Sequence, residues 1–194
     1  MLNYKKTKGV IMNKILISIL FLFNLSISAA TQDGITLPDT VKLSGKELVL
    51  NGLGTRKATW LGIKVYVGGL YMQKKSSDYK TFLNDQSPKQ IIMEFVRDVD
   101  ADDLIGGWKD AFKNSVKADD MPKLKDRIEK FYTYFTDIKK GQKMTFNFLA
   151  DGVESTINGK ALEKINGADF SKAMLSVWFI NATDKGLKDG LLGL

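Results

Sequence analysis

Between residues 100 and 135 the apolar residues recur at helical spacing, while on either side they fall in short strand-like runs. Strands, then a helical pair, then strands, then a helix can bury all their apolar faces in few ways. The order points to an α+β fold in which helices cover one face of a mainly antiparallel sheet.

The individual runs fill in that outline. Residues 47–53 and 63–72 are rich in Val, Ile, Leu and Tyr and carry glycines at 52, 54, 62, 68 and 69. They read as two strands joined by a glycine-bearing turn. A short helix is expected near 79–83, and a central strand over 89–96 after Pro88. Asp100 is placed to cap a helix with Asp103 in its first turn, and Leu104, Ile105, Trp108, Phe112 and Val116 form its apolar face. Pro122 suits the first position of a second helix carrying Leu124, Ile128, Phe131, Tyr132 and Phe135. Met144, Phe146 and Phe148 then alternate with Thr145 and Asn147, and Asp151-Gly152 and Asn158-Gly159 mark hairpin turns. A three-strand meander over 142–165 follows from these. Phe170, Met174, Val177 and Trp178 mark a further helix, and 187–192 a short last one.

The first thirty residues stand apart. Lys5, Lys6, Lys8 and Lys14 precede an apolar run over 15–25, which ends at Ser26, Ser28, Ala29 and Ala30. That is the layout of a secretory signal peptide over residues 1–30, cleaved after Ala30. The run falls short of the about 20 apolar residues that span a bilayer, so no membrane span is expected after cleavage. Translation from Met1 or from Met12 gives the same mature chain. Residues 31–194 are expected to form one domain, long enough to bury a core.

Composition excludes several chemistries. Four of the 29 basic residues and none of the 22 acidic ones lie in the leader, so the formal charge of +7 falls to +3 in the remainder. The remaining bases are interleaved with acids, as in Lys123, Lys125, Asp126, Arg127, Glu129 and Lys130, which reads as a solvated helix face and excludes a nucleic-acid partner. With no histidine and no cysteine, the chain has no Ser/His/Asp triad, no Cys/His nucleophile, no ordinary zinc site and no disulfide. No metal and no cofactor is expected. Gly52-Leu53-Gly54 is not a phosphate loop, because no Lys-Ser/Thr pair follows to open a helix.

The run from Asn51 to Lys57 (NGLGTRK), followed by Ile63–Met72 (IKVYVGGLYM), resembles the opening of chalcone isomerase-like proteins. Residues 91–96, Trp108, the run 170–179 (FSKAMLSVWF) and the run 187–193 (LKDGLLG) resemble the bacterial exported branch of that family. The resemblance spans nearly all of residues 31–194, makes this region a chalcone isomerase-like domain, and implies an open-faced antiparallel sheet covered on one face by helices, with a ligand cleft between the layers. With the leader, it implies a periplasmic location. In the family's plant enzymes a substrate phenolate closes onto a conjugated double bond, and Arg56 matches the family's arginine. Tyr66 falls where those enzymes carry a threonine that orders water toward the substrate carbonyl. Where they present a tyrosine, a lysine and an asparagine, this sequence has Asp100, Asp102 and Asp103 ahead of Trp108. Carboxylates there would raise the pKa of a phenol that must react as its anion. No catalytic residue is therefore assigned.

An Arg and a Tyr in one cleft are similar instead to the fatty-acid-binding plant members of the fold. Arginine suits a bidentate grip on a carboxylate, and a phenol adds a hydrogen bond without adding charge. The residues also admit plainer readings. Arg56 is either a surface arginine beside glycines or the anion anchor; Tyr66 alternates with Val65 and Val67 and faces either cleft or solvent, while Tyr71, of the other parity, reads as core. Trp108, Phe112, Phe131 and Phe135 read as core, with a pocket lining as the alternative. The leading expectation is a non-catalytic binder of an amphipathic, carboxylate-bearing small molecule such as a fatty acid, through Arg56 and Tyr66. The alternatives are an intramolecular lyase or isomerase acting on an enone-like substrate, and an accessory protein with a vestigial cleft. The sequence points to no particular protein partner.

Overall fold

The computed structural model describes residues 29–58 and 61–194. Apart from Ala29 and Ala30, the leader expected over residues 1–30 lies outside the described residues.

Among the described residues ten strands and five helices follow in order. They are β1 (Ala29–Gln32), β2 (Ile35–Pro38), β3 (Thr40–Leu43), β4 (Lys46–Ala58), β5 (Ile63–Met72), α1 (Tyr79–Phe82), β6 (Lys89–Phe95), α2 (Ala101–Ser115), α3 (Met121–Tyr132), β7 (Lys143–Leu149), β8 (Gly152–Ile157), β9 (Lys160–Ala161), β10 (Ile165–Asn166), α4 (Ala168–Ser176) and α5 (Lys185–Leu191). One antiparallel sheet has the order β10-β8-β7-β6-β5-β4-β3, with β9 paired to β8, and β1–β2 form a separate hairpin. Each long strand lies beside its predecessor in the chain, so the sheet is a meander interrupted by α1 and then by the α2–α3 pair. β6 is the central strand of this order.

The two faces of the sheet have different covers, and alternation explains why. On β5 the residues Tyr66, Leu70 and Met72 face the helices, as do Ile91, Met93 and Phe95 on β6 and Met144, Phe146 and Phe148 on β7. Against them pack Leu104, Trp108 and Phe112 of α2, Leu124, Ile128 and Phe131 of α3, and Phe170 and Met174 of α4. Trp108 sits at the centre, edge-on to Phe131 with ring centroids 4.8 Å apart and edge-on to Trp178 at 5.3 Å. Side chains of this size contribute about 1.5–3 kcal/mol each when buried. The opposite face buries Leu43, Leu48, Leu50 and Tyr71 beneath the β1–β2 hairpin, and the Tyr71 hydroxyl donates to the Pro38 carbonyl at 2.9 Å.

Four local expectations are corrected. Gly54 is not part of the turn between the first two long strands: like Gly52 it lies inside β4, which runs on to Ala58, and the glycine of that turn is Gly62, at φ 68°. A Cβ on Gly52 would overlap the Gly190 carbonyl, and one on Gly54 the Leu187 carbonyl, so the glycines let α5 press its backbone onto the strand. Asp100 stands at the N-cap of α2 but its side chain makes no capping bond. Asp137 supplies that bond instead, its Oδ1 accepting from the Ala101 N–H at 3.0 Å. The turn before β8 is Ala150-Asp151, and Gly152, at φ 150°, is already paired in the ladder, where a Cβ would strike the Ile165 carbonyl. Asn158-Gly159 does form the expected turn, with φ angles of 50° and 77°. Val177 and Trp178 fall just past the end of α4.

Candidate functional site

The sheet and α2 diverge at one end and leave a cavity of about 730 Å³ between β4, β5, β6, α2 and the segment joining α4 to α5. That size falls in the range of small-molecule sites. Its floor is apolar, with Val65, Met93, Phe95, Trp108, Trp178 and Leu187. Its mouth is charged, with Arg56 and Arg97 against Asp98, Asp100, Asp103, Asp110 and Asp184. Of the expected core aromatics, Trp108 serves both core and cavity, whereas Phe112, Phe131 and Phe135 lie behind it in the core.

Local sheet geometry brings Arg56 and Tyr66 together. They are directly opposed across the β4–β5 ladder and both line the cavity. The register then shifts, because the next pair is Lys57 with Lys64 and Val65 is bulged out. The bulge breaks the simple alternation through Tyr66, so Ile63 and Val65 line the cavity as well.

Tyr66 is only 9% exposed and its ring packs against Phe95 at 5.6 Å. Its hydroxyl accepts from the Trp178 indole N–H at 3.2 Å, and its own proton meets no acceptor among the described residues. Burial pushes the phenol up to about 12, so it is a neutral donor near pH 7. Tyr66 therefore offers one hydrogen bond into the cavity.

Arg56 is partly exposed. Its Nη1 donates to the Lys57 carbonyl and, at 3.4 Å, to Asp184 Oδ2. Asp184 is held from elsewhere too: Oδ2 accepts from the Lys57 N–H at 2.6 Å, and Oδ1 caps α5 through the Leu187 N–H at 2.9 Å. The Asp184 pair engages a single nitrogen of the guanidinium at long range. Nε and Nη2 carry no hydrogen bond among the described residues, which leaves one edge of the fork for an incoming anion.

Sequence reasoning missed Asp184 and Trp178, which set the environments of Arg56 and Tyr66. A polar cap signal was present at Asp184, three residues before Leu187, but nothing in the sequence ties it to an arginine so distant in the chain. On α2, Asp100 and Asp103 line the cavity and Asp102 does not. Asp98 is engaged by the Lys140 N–H at 2.9 Å and by the Lys139 ammonium at 3.3 Å, contacts that hold its carboxyl below the usual range. Among the described residues no helix is long and apolar enough to cross a membrane.

Comparison with known proteins agrees with this architecture. The chain is similar to the crystal structure of an Arabidopsis thaliana fatty-acid binding protein, with a TM-score of 0.67 at 16% identity, over 85% of this chain and 96% of that one. At that identity the likeness establishes the fold. A search of curated protein sequences gave no match. The family model described as chalcone isomerase-like matches residues 29–193, and the chain belongs to the chalcone isomerase-like family.

Proposed function

We propose that the protein binds an amphipathic, carboxylate-bearing small molecule such as a fatty acid, without catalysis, in the periplasm. The observation that carries this reading is the Arg56–Tyr66 cross-strand pair at the mouth of an apolar-floored cavity, with a buried phenolic proton and one edge of a guanidinium unused among the described residues. A carboxylate satisfies both groups at once, and an alkyl chain matches the floor. The fatty-acid binding protein of the same fold supports the same ligand class. Against the alternative lyase reading stand Asp100, Asp103 and Asp110 on the cavity wall, since carboxylates disfavour formation of the phenolate on which that reaction depends.

The test is extraction of the protein purified from its own compartment, with native mass spectrometry of whatever it carries. A bound long-chain carboxylate is the expected result. Recovery of a neutral or cationic compound, or stereoselective turnover of naringenin chalcone above the uncatalysed rate, would overturn the reading.

A further inference from the structure

Most glycines among the described residues are required within the fold, by a positive φ or by a neighbouring atom closer than 3.4 Å to where a Cβ would stand, and Gly68 and Gly186 would meet ordinary packing contacts at 3.5 Å. Two meet nothing at all, Gly106 and Gly107, side by side in the middle of the 15-residue α2, with open space where either Cβ would be. Glycine is the poorest helix former after proline, so the pair weakens α2 with no packing return among the described residues. The two positions differ in exposure, Gly106 being half-buried and Gly107 exposed, and in their relation to the cavity. Gly107 lines the cavity, and Gly106 does not.

Along α2 the residues Asp103, Gly107, Asp110 and Asn114 recur at three- and four-residue intervals and form one stripe along the cavity mouth. Gly107 is the gap in that stripe. A side chain there would project into the mouth between two carboxylates, where the bare backbone now leaves room. We infer that Gly107 is a specificity-determining residue: it keeps the aperture of the cleft open, and side-chain size at 107 sets how bulky a ligand can enter. This rests on the cleft being the binding site proposed above. It explains why α2 tolerates a glycine there when alanine would make a stronger helix, and it makes Gly106, with the same helical cost and no cavity contact, the matched control.

The experiment compares wild type with Gly107→Leu, Gly107→Ala and Gly106→Ala in the full chain. Two probes are titrated: palmitate by calorimetry, and the amphipathic dye 1-anilinonaphthalene-8-sulfonate by fluorescence. Each substitution improves helix propensity and should raise Tm by about 2–4 °C, which verifies folding. Gly107→Leu should weaken both probes by about 10-fold or more, Gly107→Ala by about 2- to 3-fold, and Gly106→Ala should leave both unchanged. Wild-type affinity in Gly107→Leu, or an equal loss in Gly106→Ala, would overturn the inference, the second because flexibility of α2 and not the gap would then matter. Should Gly107→Leu lower Tm, the contrast between the two alanine variants decides. If wild type binds the dye with this pattern but not palmitate, the fatty-acid reading falls and the aperture stands. If neither probe binds, both fall.

Discussion

At the site the decisive residues act as a trio, because Asp184 already holds part of the Arg56 guanidinium that a ligand carboxylate would need. Replacing Arg56 with Ala should weaken an anionic ligand by about 1.5–3 kcal/mol, or about 10- to 150-fold, the scale of a charge-assisted hydrogen bond. Tyr66→Phe removes a neutral donor and should cost about 1 kcal/mol. Calorimetry with a fatty acid and its methyl ester on both variants checks this; equal binding of acid and ester by wild type would remove the anion site. Asp184→Asn makes the opposite prediction. Asparagine still caps α5, while the competing charge disappears, so the acid should bind more tightly by up to about 1 kcal/mol, the ceiling for a partly exposed pair, with the ester unaffected. Weaker acid binding in Asp184→Asn would mean that Asp184 orients Arg56 and does not compete with the ligand. Loss of the pair in Arg56→Ala should cost the unliganded protein no more than about 1 kcal/mol. Placement of Arg56 and Tyr66 on a shared cleft was legible from the resemblance, whereas strand parity left Tyr66 facing either cleft or solvent. The role of Asp184 was not legible, since pairing between β4 and the start of α5 depends on how the chain end returns to the sheet.

Among the elements, α5 is the one whose position depends most on what is missing from its neighbour. Gly54 and Gly190 meet where strand and helix backbones touch, and a Cβ on Gly190 would overlap the Leu53 carbonyl while one on Gly54 would overlap that of Leu187. Backbone cannot move aside as a side-chain tip can. Gly54→Ala and Gly190→Ala should therefore each destabilise by about 1–3 kcal/mol or more, lowering Tm by at least about 2–4 °C, and should disturb the cleft through Asp184 and Leu187. Gly68→Ala is the contrast: its Cβ would stand 3.5 Å from the Tyr66 ring and 3.6 Å from Leu187 and Leu191, ordinary packing distances, and Tm should change little. Thermal melts of the three variants suffice, and a Gly54→Ala protein as stable as wild type would mean that α5 is not seated on β4. The same contact shows where sequence reading ran out. Dense apolar runs pointed to β5 and β6, and period-two and helical patterns to the meander and the α2–α3 pair, because burial writes itself into the order of apolar residues. A glycine that admits another backbone looks in sequence like a glycine that turns the chain, and Gly54 and Gly152 were both assigned to turns for that reason. The bulge at Val65 leaves no compositional mark either.

For the molecule as a whole, stability should fall away at both ends of the pH scale. Hydrogen bonds from Lys64 and Thr55 hold the Asp33 carboxyl below its usual range, two from Ser87, by its hydroxyl and its N–H, do so for Asp85, and those from Arg127 do so for Asp169. Their contribution is complete above the unfolded value of about 4 and is lost as pH falls through the depressed folded values, so Tm should drop below about pH 4. Burial raises Tyr66 and Tyr132 to about 12 and Tyr71 further, and these phenols stay neutral in the folded protein after they ionise in the unfolded chain. Stability should thus decline again above about pH 10. A melting series that stays flat from pH 4 down to pH 2 would mean that these carboxylates gain nothing on folding. The proposed export would make the last demand on the whole chain, since cleavage after Ala30 would cut inside β1. The two pairs lost are Ala29 with Pro38 and Ala30 with Leu37, and Ala30 contributes a partly buried methyl beneath the sheet. What remains is the better-held part of the hairpin. Thr31 and Thr36 share a hydroxyl hydrogen bond at 2.9 Å, Gln32 donates to the Thr55 hydroxyl at 2.9 Å, and Asp33 accepts from Thr55 and Lys64 of the sheet. The hairpin should therefore stay docked over Tyr71 in a chain that begins at Thr31. Intact-mass measurement of the exported product should give a terminus near Thr31, with the Tm of that product within a few degrees of a chain beginning at Ala29. A product that keeps residues 15–25 would instead make that segment a membrane anchor.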